Sequence, residues 1–370
     1  MIVNLRVPVG RPLPELAEFV ARCEAAGLDG VGIHDHPSSG RDAYLALALA
    51  ARVTRRLRLF PATSSPAVRH PLLLASLAHG LEELAPGRAR LTMAPGFIST
   101  RSVGRPRATV AVMREAVREV RRLLAGEAVG FGPTETRLRN RSAVPTPVFL
   151  LAAGPRMIEL AGEVADGALL MVGLDAAGIG AARRHLAEGA RRAGRSLEGF
   201  PVVFVVTLGL GADAAVGARW VRSWFAPGQP FLAYPSVANL RWLGEAGLAL
   251  PEPLDPAAIP EERALRIADA FGLFGPPERC AERLLRAREE AGCRGGLPLS
   301  GARPGRRLRD AGSGGGGLRA RDPAAPRRLA GARCRSGRFA RGSPGGSEKG
   351  AEDSVRVFAR AILARAREGA

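Results

Sequence analysis

Gly30-Val31-Gly32-Ile33-His34-Asp35-His36-Pro37 is an apolar run that stops abruptly in three ionisable residues and a proline. It reads as a buried strand whose last residues emerge into a pocket. In barrels of alternating strands and helices, active-site groups sit at the C-terminal strand ends. Upstream, residues 2–7 form a strand-like run, and residues 13–26 place Leu16, Phe19, Val20 and Cys23 at helical spacing before Gly27, a helix-stopping glycine.

Downstream the same alternation continues. Strands are expected at 57–62, 89–94, 148–152, 168–172 and 202–208, and helices at 44–53, 71–84, 109–124, 156–165 and 176–193. Helices at 214–225 and 237–246 belong to an insertion spanning about residues 209–270, and a last barrel helix covers 277–291. Short strands alternating with longer helices imply parallel β-α-β units. Seven repeats precede residue 292, and the first strand lacks a G-x-G-x-x-G turn. The expected fold is therefore α/β, a (β/α)8 TIM barrel with a helical insertion after strand 7, rather than an open doubly wound sheet.

An eighth strand should follow Gly292, and no run of strand-forming residues is found there. Residues 293–350 contain no Val, Ile, Met, Trp or Tyr, and hold 15 glycines. A one-base shift of the codons from Cys293 onward can spell Val-Glu-Glu-Val-Phe-Leu, a credible strand. The segment reads either as a frameshifted stretch lacking the eighth strand or as a basic, low-complexity linker. Residues 351–370 return to an amphipathic helix. The expected organisation is a barrel over 1–292, the basic segment, and this C-terminal helix.

The net charge of +19 raises a nucleic-acid reading. Residues 293–350, however, hold 14 of the Lys+Arg against 3 of the Asp+Glu, so the excess belongs mostly to one segment. Lys349 is the single lysine. No specific nucleic-acid partner is expected. Hydrophobic residues make up 46% of the chain without a run long enough to span a bilayer. No basic, apolar and cleavage-site succession opens the sequence, so a cytoplasmic protein is the expectation. Cys23, Cys280, Cys293 and Cys334 are scattered, which suggests neither a zinc site nor a disulfide framework.

His34-Asp35-His36 is the first candidate for chemistry. An H-x-H at a strand end can ligate a metal, but it needs further ligands, and His70, His79 and His185 fall on or beside helices. No metal is expected. The leading reading is an acid/base group in contact with a cofactor, since imidazole titrates near neutrality and a neighbouring carboxylate can orient it. A structural role, with a histidine capping a helix and Asp35 bonding backbone amides, is the plainer alternative. Pro61-Ala62-Thr63-Ser64-Ser65-Pro66 ends a strand in small hydroxyl residues. Its tip could press on a flat ligand, or Ser64 or Ser65 could simply cap the next helix. Ala152-Ala153-Gly154-Pro155-Arg156 joins a strand to a helix start, where free amides suit an anion.

Together these stretches resemble the luciferase-like monooxygenase superfamily of flavin barrels. The resemblance lies in residues 24–36, Pro66-Ala67-Val68-Arg69-His70-Pro71, Leu84-Ala85-Pro86-Gly87-Arg88 and residues 152–167. It implies a flavin or deazaflavin at the strand C-termini. The Asp35-His36 order is most similar to the branch that uses coenzyme F-420 and includes methylenetetrahydromethanopterin reductase. The resemblance then puts Asp35 and His36 beside the hydride-transfer centre, where His36 or His34 is expected to give or take the proton, oriented by Asp35. It implies a non-prolyl cis peptide at Ala62-Thr63 behind the ring, with Ser64 beside it. It implies further cofactor contacts at Ala94 and Gly96, and a phosphate at the Ala152, Ala153, Gly154, Pro155 and Arg156 junction.

Two departures bear on substrate. The fourth strand ends Met93-Ala94-Pro95-Gly96-Phe97 without the glutamate that related sugar-phosphate dehydrogenases use, and the barrel has no lysine for a phosphate clamp. A small organic substrate other than a sugar phosphate is expected. The expected reaction moves a hydride between coenzyme F-420 and that substrate. The alternatives are an FMN-dependent monooxygenase served by a flavin reductase partner, and an inactive barrel with a nonspecific basic tail. A homodimer is expected from the resemblance alone. Trp220, Trp224, Phe225, Phe231, Tyr234 and Trp242 of the insertion form either a lid or packing against the barrel.

Overall fold

The computed structural model describes residues 2–7, 9–225, 237–250, 255–290 and 299–300 (the backbone alone for 237–240, 290, 299 and 300). Strands and helices alternate first as β1 (Val3–Val7), α1 (Leu13–Ala25), β2 (Gly30–Ile33), α2 (Ala43–Val53), β3 (Arg58–Pro61), α3 (Pro71–Leu84) and β4 (Leu91–Met93). A short α4 (Ile98–Ser102) and a long α5 (Val110–Leu124) follow, then an antiparallel hairpin of β5 (Val129–Phe131) and β6 (Thr134–Thr136). The alternation resumes with β7 (Val148–Ala152), α6 (Pro155–Val164), β8 (Gly167–Leu170), α7 (Ala176–Arg192) and β9 (Val202–Val205). Beyond it come β10 (Thr207–Leu210), α8 (Ala215–Phe225), α9 (Val237–Glu245), α10 (Glu261–Phe271), β11 (Gly272–Gly275), α11 (Pro277–Glu290) and β12 (Leu299–Ser300).

Local chemistry sets the helix starts. Asp42, Thr109 and Asp175 accept first-turn amides of α2, α5 and α7. His70 does the same for α3, with Pro71 at the first helical position.

Eight strands form one sheet in the order β3-β2-β1-β12-β9-β8-β7-β4, every ladder parallel. Bridges Leu59–Ala89 and Ser64–Met93 join the two outer members, β3 and β4, so the architecture is TIM-barrel-like. Because the strands are parallel, their C-terminal ends emerge together.

Alternation along the strands sorts side chains into two layers. Val3, Leu5, Val31, Ile33, Leu59, Leu91, Leu150, Leu170 and Phe204 join the large core beneath the helices. Their neighbours Phe149, Leu169, Val203 and Val205 form a separate inner cluster with Leu151 and Met171. On β1 and β2 the inner positions are Asn4, Arg6, Gly30 and Gly32. A Cβ at Gly32 would lie 2.2 Å from the ring of Phe60, so the aromatic ring fills that interior space.

The structure corrects two expectations. An eighth strand is present: Leu299 pairs with Val3 on one side and Phe204 on the other, and Ser300 with Asn4 and Val205. A ladder needs only main-chain donors and acceptors, so a two-residue strand escapes a search for β-branched runs. The expected strand 202–208 is two strands; β9 stays in the main sheet while β10 pairs with β11. Both halves are buried, which makes the sequence run continuous. The hairpin, α4, α10 and β11 were not expected. The rest of 293–350, the helix expected over 351–370, Phe231 and Tyr234 lie outside the described residues.

Candidate active site

Past β2 the chain turns tightly at Asp35: the His36 amide donates to the His34 carbonyl at 3.2 Å, with His36 at φ −120° and ψ 95°. His34 continues the alternation of β2, and His36 lies on the same side. Their ring centroids lie 5.2 Å apart. His34 is buried and His36 half-buried. This is the face of Gly30 and Gly32, toward the barrel interior. Asp35 projects to the opposite face and is only 4% exposed.

Asp35 meets a buried polar network. Its Oδ2 accepts from Ser64 Oγ at 2.7 Å and from Arg69 Nε at 2.8 Å, and its Oδ1 accepts from Arg69 Nη2 at 2.9 Å. Arg69 Nη2 also donates to Asp42 Oδ2 at 2.7 Å. The guanidinium carbon lies 5.1 Å from the ring centre of Tyr44, whose hydroxyl is 3.0 Å from Ser64 Oγ. Since an ionised carboxylate only accepts, Ser64 donates to Asp35 and Tyr44 donates to Ser64. The bond to Asp35 raises the Arg69 pKa, against the opposing effect of burial. Burial pushes the Tyr44 phenol up, with the Asp35 charge adding to it. For Asp42, burial acts upward but the bonds from Arg69 and the Tyr44 amide outweigh it and hold the carboxyl below its usual range.

The β3 tip is stitched on both sides. The Ala62–Thr63 peptide is cis. The Ala62 carbonyl accepts from Arg6 Nη2 of β1 at 2.6 Å, and its amide donates to Ile33 at 2.7 Å. Thr92 Oγ1 donates to the Pro61 carbonyl. The Ser64 amide donates to Thr92, and the Ala94 amide to Ser64. Ser64 is fully buried with its hydroxyl engaged by Asp35 and Tyr44. Neither it nor Ser65 caps α3; His70 does.

At the β4 tip Ala94 is buried, and Gly96 has φ +92°. A Cβ there would lie 2.3 Å from Thr100 Cγ2 and 2.9 Å from Ser65 Oγ, so a side chain is excluded both by space and by the backbone. The Ala108 amide donates to Pro95 at 2.8 Å and returns the loop to the tip. Arg107 stacks there on Phe97, 4.3 Å from the ring centre.

At β7, Ala152 is buried, Ala153, Gly154 and Pro155 are half-buried and Arg156 is exposed. Gly154 is the N-cap of α6 and supplies no side-chain cap, which leaves first-turn amides for an anion. Trp242 of α9 donates from Nε1 to the Ala153 carbonyl at 2.9 Å. Trp224, Phe225 and Trp242 are buried, so these insertion aromatics pack rather than hang open.

Every candidate thus sits at the C-terminal end of β2, β3, β4 or β7, four strands that follow one another around the sheet through the β3–β4 bridges. Among the described residues no group of three or more His, Cys, Asp and Glu side chains is placed to hold a metal ion. Sequence reasoning missed Arg6, Tyr44, Asp42 and Arg69 as partners. Arg69 lay inside a quoted motif, and Asp42 stands at a helix start, where an N-cap is readable.

Residues 4–295 match the profile of the Luciferase-like monooxygenase family. A 5,10-methylenetetrahydromethanopterin reductase from Methanolobus tindarius is 28% identical over 289 residues, covering 74% of this chain and 86% of that protein. Among solved structures, the coenzyme F-420 dependent tetrahydromethanopterin reductase from Methanopyrus kandleri superposes with TM-score 0.65 at 18% identity, covering 98% of this chain and 99% of the other. The oxygenating constituent of 3,6-diketocamphane monooxygenase from Pseudomonas putida, a type II Baeyer-Villiger monooxygenase in complex with FMN, gives TM-score 0.58 at 16% identity, covering 82% and 91%. The match over most of the chain, together with this barrel-like order of strands, makes the protein a member of the luciferase-like monooxygenase family.

Proposed function

We propose that the protein is an oxidoreductase that moves a hydride between coenzyme F-420 and a small organic substrate. The observation that carries this reading is the β2 end, where His34 and His36, on either side of Asp35 in sequence, place two imidazoles on the inner face among the strand ends. The reductases reported above support it. The residues fit a flat, phosphate-bearing cofactor: the uncapped start of α6 suits a phosphate, and the tips of β3 and β4 offer small residues for close approach.

The cofactor, when bound, supplies the hydride chemistry. The chain's own residues do the rest. Ala152, Ala153, Gly154, Pro155 and Arg156 hold the anion; Ala62, Thr63, Ala94 and Gly96 line the ring or its tail. His36, or His34 beside it, gives or takes a proton at a ring nitrogen next to the reacting centre. The fourth strand end lacks a glutamate, and Lys349 is the single lysine, both of which speak against a sugar phosphate.

The second reading is an FMN-dependent monooxygenase that receives reduced flavin from a partner reductase. The FMN-bound structural neighbour favours keeping it. Parallel titrations separate the two. Quenching of F-420 fluorescence at micromolar protein is the expected result. FMN binding without F-420 binding moves the assignment to the second reading, and no binding of either at high micromolar concentration refutes both.

A further inference from the structure

We propose that Arg69 is the positioning residue of this site, and that Asp35 is its buried anchor rather than a proton carrier. The proposal rests on the reading that places the reaction at the β2 tip, and it assigns a role to a residue which that reading leaves unused.

Three observations carry it. Asp35 lies between His34 and His36 in sequence but projects to the opposite face, away from the imidazole pair. Its carboxylate already accepts three hydrogen bonds, two of them from the fork of one guanidinium. Arg69 then reaches a second carboxylate, Asp42, which caps α2 through the amides of Tyr44 and Leu45. One planar cation therefore ties together the β2 tip, the β3–α3 loop that bears it, and the start of α2. The same Asp35 oxygen holds Ser64, so the β3 tip is fixed by the same knot.

The geometry demands arginine. A fork can serve Asp35 side-on and still offer an outer N–H to Asp42, whereas an ammonium is a single point of charge. Burial sharpens the consequence: Asp35 is 4% exposed and Arg69 19%. Removing one partner strands a buried charge, and removing both does not. The pair should therefore behave as one unit in a double-mutant cycle.

The test uses the full chain as wild type, Asp35→Asn, Arg69→Gln, Arg69→Lys and the Asp35→Asn/Arg69→Gln double variant. Three quantities are read: the melting temperature, the affinity for F-420 and for FMN, and the ring C–H NMR signals of His34 and His36 without cofactor. Arg69→Gln is expected to move both histidine signals and to weaken cofactor binding about tenfold. The double variant is expected to melt above Arg69→Gln, and Arg69→Lys to fall between Arg69→Gln and wild type in affinity. Should Arg69→Gln not fold, the double and lysine variants decide by the same readouts. The proposal is overturned if Arg69→Gln leaves the histidine signals, the cofactor affinities and the melting temperature as in wild type. It is also overturned if the two single effects simply add. Were wild type to bind neither cofactor, the hydride reading would fall, while the histidine signals and the melting cycle would still judge the Arg69–Asp35 unit.

Discussion

His34 and His36 differ in depth although they share a face. His34 is 7% exposed and its amide is tied to Val7, while His36 is half-buried at the start of the following turn. A group that exchanges protons between substrate and solvent belongs at the shallower position. His36→Asn is therefore expected to lower turnover by about 10²–10⁴-fold, with cofactor affinity within a few-fold of wild type, as steady-state kinetics and fluorescence titration would measure. His34→Asn is expected to reduce the melting temperature more than the turnover number, and the reverse ranking would exchange their roles. The β2 tip was legible because charged residues end an apolar run. What local pattern does not encode is the partner of Asp35: Arg69 is 34 residues away and meets it through the fold. The cis peptide at Ala62–Thr63 stands where the family resemblance put it, and composition alone carried no sign of it.

Helices α6 and α7 meet through small residues, and this contact holds the start of α6 in place. A Cβ on Gly189 would lie 1.8 Å from the Glu159 carbonyl oxygen, which is backbone and cannot swing aside. Gly189→Ala should force the helices apart and cost about 1–3 kcal/mol, measurable by urea unfolding; an unchanged midpoint would mean the helices separate freely. On the other flank Glu163 of α6 receives the fork of Arg114 and a further bond from Arg118, both on α5. The Arg114 bond holds the Glu163 carboxyl below its usual range against the upward effect of burial. A carboxyl with a depressed folded pKa stabilises the fold above its unfolded pKa, and that contribution disappears as pH falls through the folded value. Glu163→Gln is therefore expected to unfold at lower urea than wild type at neutral pH, with the difference shrinking as pH falls below the ordinary Glu value of about 4.3 and through the depressed folded one. Capped, amphipathic helices such as α2, α3 and α5 were legible to within a residue or two. The β5–β6 hairpin was not, because each strand is three residues long, too short for an alternation to be read, and β6 is polar. Helix α10 and strand β11 abut without a turn between them, so the change of period at Gly272 gave no punctuation to read.

At the scale of the molecule, charge and closure decide different questions. The outward arginines of α5 are matched by acids, Arg114 and Arg118 by Glu163, Arg121 by Asp166 and Arg122 by Glu127, so this row is not a free basic stripe. The continuity of the sheet depends on a much smaller feature. Among the described residues, the sheet order passes from β1 to β9 through β12, which is two residues long. The strands it joins are the neighbour of β2, which carries the histidines, and the neighbour of β8. Composition hid this strand, since a Leu-Ser pair beside glycines and prolines has no β-branched residue to mark it. Main-chain pairing on both sides nevertheless makes it a central strand, where proline removes a ladder donor and leaves its acceptor unpaired, at a cost of about 1–3 kcal/mol. Leu299→Pro should then lower the melting temperature and weaken cofactor binding, because β1 and β2 would lose their support on one side. Leu299→Val, which keeps the amide, is the control and should melt within a few degrees of wild type. If the proline variant melts with the control, β12 bears no load and the family barrel is held together here without its eighth strand; if it falls, two residues suffice to close the ring on which the site depends.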